Sequence, residues 1–205
     1  MFTLTSNEWS DFDFYVSHAV RTCIGEQVSG DEVITIRTEN YLLVGVIDGL
    51  GHGKEAAAVA KQVKAYVAEY KNQDIETIIK GAHQHFLGSR GVVIGLARIY
   101  TDGAFEFLGI GNIRARIVSE KDRIELVSKD GALGVRMRAS LFLQKTKMQK
   151  GDRLVMYSDG VSNRLFRDNI VFPRFGGLSF VQSVIEKYGK EHDDASILYL
   201  IKQEA

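Results

Sequence analysis

The order of the hydrophobic patterns constrains this chain more than any single motif does. Strand-like runs occupy Phe12 to Ala19, Glu32 to Thr38 and Tyr41 to Ile47, the last nearly continuous and so expected to be buried on both faces. Two helical patterns follow. Lys54 to Tyr70 carries Ala56, Val59, Ala60, Val63, Tyr66, Val67 and Tyr70 on one stripe. Asp74 then offers an N-cap to a helix bearing Ile75, Ile78, Ile79, Ala82 and Phe86, with Gly88 available to end it. Strands return at Val92 to Tyr100, Ala104 to Gly109 and Ile113 to Ser119, the first two joined by the tight-hairpin pair Asp102-Gly103 and the next two by a turn at Gly111-Asn112. Weaker strands are expected at Arg123 to Val127 and Ser140 to Thr146. Beyond a strand at Arg153 to Tyr157 come an Arg- and Gly-rich loop (Asn163 to Gly177), a helix (Leu178 to Tyr188) and a closing strand (Ala195 to Ile201). Hairpin-linked strands in blocks predict antiparallel sheets with helices outside them, not an alternating parallel fold. The expected class is α+β: a four-layer α/β/β/α sandwich of two packed, mainly antiparallel sheets, forming a single domain over residues 1–205.

Charge and composition remove several function classes. Lys+Arg and Asp+Glu number 26 each, for a net charge of zero, so the basic excess of a nucleic-acid binder is missing. The 45% hydrophobic content is enough for a core. No apolar run approaches the ~20 residues of a membrane helix. The N-terminal segment, with Glu8, Asp11 and Asp13, lacks the basic and apolar regions of a signal peptide. The lone Cys23 cannot form an internal disulfide, which fits a reducing compartment. No nucleic-acid or membrane partner is expected, and the expected location is cytoplasmic.

Four acidic residues stand at strand boundaries. Asp48 follows Tyr41 to Ile47, Asp159 follows Leu154 to Ser158, Asp31 precedes Val33 to Ile36, and Asp193 precedes Ala195 to Leu200. In antiparallel neighbours the end of one strand lies beside the start of the next, so two acids after strands and two before can converge at one edge. Such a cluster repels itself unless a counter-charge intervenes. All-oxygen donors suit Mg²⁺ or Mn²⁺ rather than zinc. His83 and His85, two apart on a helix, diverge and supply no zinc site. A single Asp at a strand end is usually a turn former, but Asp48-Gly49 and Asp159-Gly160 repeat one strand–Asp–Gly pattern. Glycine there would also let a backbone carbonyl approach a metal.

The segment Ile47-Asp48-Gly49-Leu50-Gly51-His52-Gly53, followed by Lys54-Glu55-Ala56-Ala57, resembles the core signature of the PPM (type 2C) metal-dependent serine/threonine protein phosphatases. The resemblance is strongest to the bacterial SpoIIE-like branch and its compact, RsbX-type members. Gly30-Asp31, Ser158-Asp159-Gly160 and Asp193-Asp194-Ala195-Ser196 resemble the branch's other acidic motifs, in family order from Gly30 to Ser196. The resemblance implies a β-sandwich flanked by helix pairs, with two Mn²⁺ or Mg²⁺ ions at its edge. It assigns Asp48 as the bridging carboxylate, the Gly49 carbonyl as a further ligand, Asp31 to one ion, and Asp159 and Asp193 to the other. Asp194 is the lesser candidate of its pair. A hydroxide between the two ions would attack phosphorus in line. The implied substrate is a phosphorylated protein, specifically a STAS-domain protein of stress signalling carrying phosphoserine or phosphothreonine.

Some positions depart from the family. Eukaryotic members carry His directly after the Asp-Gly pair; here it is Leu50, leaving His52 as a candidate catalytic proton donor, with water as the alternative. Arg21 lies where those enzymes place a phosphate-binding Arg. Arg114 and Arg116 share a strand face and read as solvated charge. Arg164, Arg167 and Arg174 fall in a segment expected to overhang the site, where substrate could dock. The glycine-rich run is not a nucleotide loop: Asp48 replaces its first glycine, and Glu55 replaces the Ser or Thr after Lys54. Two other functions share these residues, a binding module with the phosphatase fold and a small-phosphoester hydrolase.

Overall fold

The computed structural model describes residues 2–120, 122–138, 140–168 and 170–203. The chain opens with β1 (Leu4–Ser10), β2 (Phe14–Arg21), β3 (Asp31–Arg37) and β4 (Tyr41–Gly49), followed by α1 (Gly53–Glu69) and α2 (Ile75–His85). Next come β5 (Val92–Tyr100), β6 (Ala104–Ile110), β7 (Arg114–Val118) and β8 (Arg123–Leu126). Short strands β9 (Ser128–Lys129), β10 (Gly131–Ala132), β11 (Arg136–Met137) and β12 (Gln144–Lys147) precede β13 (Arg153–Tyr157). A 3-10 turn (Asn163–Phe166), α3 (Leu178–Tyr188) and β14 (Ala195–Lys202) complete it.

Two sheets result. The first has the order β1-β2-β14-β13-β7-β8, and the second β12-β6-β5-β4-β3, with β9 added in parallel to β6. All other pairings are antiparallel, as hairpin-linked strands dictate. Between the sheets lies one apolar cluster that includes Phe14, Val44, Phe105, Phe107, Leu154, Met156 and Leu198. The outer face of the second sheet, with Ile34, Leu43, Ile47, Ile94 and Leu108, buries the stripes of α1 and α2. That of the first sheet, with Val155, Tyr157, Ile197 and Tyr199, buries α3 through Val181, Val184 and Ile185. Strands covered on both faces must be apolar on both, and β4, β5 and β14 meet that demand: β14 is buried along its whole length. The α/β/β/α order of layers is the expected one.

Several local expectations change. One α-helix and the 3-10 turn, rather than a helix pair, cover the first sheet among the described residues. β1 escaped the pattern analysis because it is a polar, half-exposed edge strand that pairs only with β2. β2 begins at Phe14 and not Phe12, since the Asp11 carboxylate accepts from the amides of Asp13 and Phe14 and turns the chain, leaving Phe12 exposed. The strand expected at Ser140 to Thr146 contracts to Gln144–Lys147, with Leu141 and Leu143 instead packed against the α1–α2 layer. Asp74 caps α2 as anticipated, accepting from the Thr77 amide at 2.9 Å.

Phe107 is fully buried between the sheets. Phe107→Ala is expected to lower unfolding stability by about 3–5 kcal/mol, measured by urea denaturation. A loss below about 1 kcal/mol would show that the layers do not meet as described.

Candidate metal centre

The second sheet supplies two of the acids. Asp31, the first residue of β3, is the register partner of Asp48 near the end of β4. Directly opposed residues share a face, with Cβ atoms about 4.5–5.5 Å apart. Asp31 is 2% exposed, and neither carboxylate oxygen has a hydrogen-bond partner in good geometry. The first sheet supplies the other two. The β13–β14 ladder continues past Tyr157 and Ile197, with the Ser158 amide donating to the Ser196 carbonyl at 3.1 Å. Asp159 therefore leaves β13 beside the point where Asp193 enters β14.

Electrostatics ties the two pairs together. The Asp48 carboxyl is pushed up to about 9, by burial first and then by repulsion from Asp31, Asp159, Asp193 and Asp194. Burial pushes Asp31 up to about 7; the nearby Ser158 and Ser196 hydroxyls pull it down, while Asp194 and Asp193 push it further up. Asp193 is raised by burial and by Asp159, against the pull of Lys190. Asp48 thus lies within electrostatic reach of the other three strand-end acids read from sequence.

Asp194 does different work. It is 3% exposed, and its two oxygens accept from the amides of Cys23 at 2.7 Å and Gly30 at 2.8 Å. It fastens both ends of the β2–β3 connection beside β14, which sets Asp31 in place. Close approach of neighbouring backbone requires both Asp-Gly glycines. A Cβ on Gly49 would lie 2.6 Å from the Ala56 carbonyl oxygen of α1, and one on Gly160 would overlap the Asp194 carbonyl oxygen. Asn112, read from sequence only as a turn residue, donates from Nδ2 to Asp159 at 2.8 Å. Nothing in the local pattern foretold a contact spanning 47 residues.

The other candidates are distributed unevenly. His52 is the N-cap residue of α1; its ring is 61% exposed and lies 2.6 Å from the Glu26 carboxylate. Arg21 is 4% exposed and donates to the Lys190 carbonyl, packed against Gly189, so it serves structure rather than awaiting a phosphate. Arg116 lies over the Phe166 ring at 4.2 Å and is not simply solvated. Arg164 and Arg167 line a cleft with Asp159. Arg174 does not: it pairs with Glu120 and lines a hollow with Gln149 and Asp152, beside the start of β13, whereas Asp159 follows that strand's end.

The donors fit a hard divalent cation. They are all carboxyl oxygens, and among the described residues no ion pair reaches any of the four. Among the described residues no three His, Cys, Asp or Glu side chains stand close enough together to hold a metal ion by themselves. An ion here would keep much of its water, as Mg²⁺ does when one or two carboxylates hold it.

A carboxyl raised in the folded state loses stability as pH climbs toward its folded value, because the unfolded chain has already released that proton. With Asp31 at about 7 and Asp48 at about 9, metal-free protein should melt at a lower temperature at about pH 8.5 than at about pH 7. Added Mn²⁺ or Mg²⁺ should raise the melting temperature, and more so at the higher pH. Scanning calorimetry checks both. Indifference to either cation would remove the metal centre.

Comparisons with known proteins agree with this geometry. Residues 38–203 match the family described as stage II sporulation protein E (SpoIIE), a span that includes Asp48, Asp159 and Asp193 and begins just after Asp31. The phosphoserine phosphatase RsbX of Bacillus subtilis (strain 168) is 29% identical over 91 residues, 44% of this chain and 46% of RsbX, so the match spans just under half of that relative. A solved chain of the bacterial stressosome, described as a modular system adapted to control secondary messenger signalling, superposes with a TM-score of 0.83 at 29% identity, covering 91% of this chain and 98% of its own. A crystal structure of RsbX in complex with magnesium shares the fold, with a TM-score of 0.82 at 19% identity over 97% of this chain and 100% of that one. With its two-sheet sandwich and four edge carboxylates, the chain belongs to the SpoIIE family, a bacterial branch of the PPM-type phosphatases.

Proposed function

We propose that this chain is a metal-dependent protein serine/threonine phosphatase, and that its substrate is a phosphorylated STAS-type protein of a stressosome-like signalling complex. The observation that supports the activity is the electrostatic coupling of buried Asp31 with half-buried Asp48, Asp159 and Asp193, drawn from two sheets and, among the described residues, without an ion-pair partner. In this proposal Asp48 and the Gly49 carbonyl would be shared by two divalent ions, Asp31 would serve one of them, and Asp159 and Asp193 would serve the other. Two divalent ions, when bound, would activate a water for in-line attack and screen the phosphoryl oxygens. The chain's own residues fix the arrangement: Asn112 orients Asp159, and Asp194 holds the loop that carries Asp31. His52, paired with Glu26 beside the start of α1, is kept as a candidate proton donor to the leaving alkoxide.

The substrate rests on likeness. RsbX is named a phosphoserine phosphatase, and the first similar structure belongs to a stressosome. Among the described residues no helix is long and apolar enough to cross a membrane, and an edge site is open enough for a folded partner.

Hydrolysis of an aryl phosphate should stop with chelator and return with Mn²⁺ or Mg²⁺. Asp48→Asn should lower kcat by about three orders of magnitude or more, while His52→Ala should be mild if water donates the proton. A fully active Asp48→Asn protein would refute the metal assignment. A collapse in His52→Ala with unchanged metal content would make that residue the general acid.

Phosphorylated STAS proteins from the same genome should lose phosphate on incubation with enzyme and metal, followed by mass spectrometry. Efficient turnover of a small phosphoester with every STAS protein untouched would replace the protein substrate by a metabolite. Tight binding of the phosphoprotein without turnover would make the chain a binding module.

A further inference from the structure

Beside the acidic edge lies a cleft of about 450 Å³ with a cationic lining. Arg114 of β7, Arg164 and Arg167 of the 3-10 turn and its end, and Lys190 after α3 all line it, together with Asp159 and Asn112. All four cations are exposed. Among the described residues Arg164, Arg167 and Lys190 have no ion-pair partner, and Arg114 reaches only Glu125, at 3.9 Å. Asp168, next to Arg167, is already engaged by the Tyr188 hydroxyl at 2.8 Å and by Lys187 at 3.6 Å.

These side chains project from a firm base. Leu165 is fully buried in the α3 cluster, and the Ser162 amide donates to the Tyr188 carbonyl at 2.8 Å. The Lys190 amide donates to the Gly160 carbonyl at 2.8 Å, which mounts the lysine on the same corner as Asp159. Four like charges gathered on one cleft repel one another, and Asp159 in the cleft, Glu125 beside Arg114 and Asp193 near Lys190 offset part of that repulsion. In a chain of zero net charge, such a concentration calls for an anionic ligand from outside.

We infer that this cleft is a docking subsite for acidic side chains flanking the phosphorylated residue, so that a partner with Asp or Glu beside its phosphoserine is preferred over one with neutral flanks. The inference rests on the proposed phosphatase activity and adds the partner's local chemistry to it. A phosphate presented to the carboxylate edge leaves its neighbouring residues over the cleft, because Asp159 belongs to both. A peptide can place acids there and neutral residues over the edge itself. A nucleic acid cannot, since its unbroken phosphates would continue across Asp159, Asp193 and Asp48.

The test compares paired phosphoserine peptides, one with Asp and Glu on both sides and one with Asn and Gln, on the full chain supplied with Mn²⁺. The ratio of kcat/KM, acidic over neutral, is expected to be about threefold to tenfold, the size that a few exposed ion pairs supply, and to shrink as salt rises. Arg164→Glu with Arg167→Glu should bring the ratio to one or below, and Arg164→Lys with Arg167→Lys should keep most of it. Fluorescence anisotropy of labelled, non-hydrolysable peptide versions gives the same comparison without turnover. A ratio of one in the wild-type chain, or a preference that survives the double charge reversal, overturns the inference while leaving the phosphatase activity standing. Absence of hydrolysis on aryl phosphate and both peptides would instead defeat the phosphatase activity, and the anisotropy ratio would then decide the subsite alone. Tighter binding of a single-stranded oligonucleotide than of the acidic peptide would also overturn it.

Discussion

Mutual repulsion among Asp31, Asp48, Asp159 and Asp193 works against this fold, and much of the surrounding structure serves to contain it. Burial and four acidic neighbours hold the Asp48 carboxyl well above its ordinary range. Left to itself, such a cluster would spread apart or take up protons. It is kept together from behind. The β3–β4 register sets Asp31 against Asp48, the β13–β14 ladder sets Asp159 beside Asp193, and the apolar core between the sheets brings the two pairs to one edge. Asp194 adds the cross-tie, joining the β2–β3 loop to β14 through two backbone amides. The fold thus spends packing stability on holding negative charge where divalent cations can neutralise it.

Much of this was legible before any coordinates. Apolar runs such as Tyr41 to Ile47 and Arg153 to Tyr157 set the buried strands, and the stripe from Ala56 to Val67 set α1, because each obeys one period over its whole length. The strand–Asp–Gly repeat marked two of the four acids, and strand polarity predicted where the others would go. What stayed hidden depends on distant contacts. β1 has no apolar alternation of its own and exists because β2 offers it an edge. Arg21 looked available to a phosphate until the fold brought Lys190 against it. Asn112 meets Asp159 only after β7 and β13 pair. Arg164 and Arg174 are near neighbours in sequence but part at the turn that buries Leu165, one toward the acidic edge and the other toward Glu120.

Size alone would have pointed elsewhere. A hollow of about 600 Å³, lined by Tyr15, Arg174, Phe175 and Ile201, is larger than the cationic cleft and lies away from the acids. It holds no cluster of perturbed carboxylates. Reactivity follows charge that burial has left without a partner, and that condition is met at the edge shared by the two sheets.

The order of strands in the first sheet bears on how the molecule is assembled. β14 lies in the interior of that sheet, between β2 and β13, yet it is synthesised after both of them. The second sheet with α1 and α2 draws on an almost continuous stretch from Asp31 to Lys147 and can form while synthesis is still under way. β1 and β2, made earlier, must wait for β14 before they join the rest of their sheet. The acidic edge is therefore incomplete until β14 follows: a nascent chain that ends before it carries Asp31, Asp48 and Asp159, lacks Asp193, and has no Asp194 to tie the β2–β3 loop.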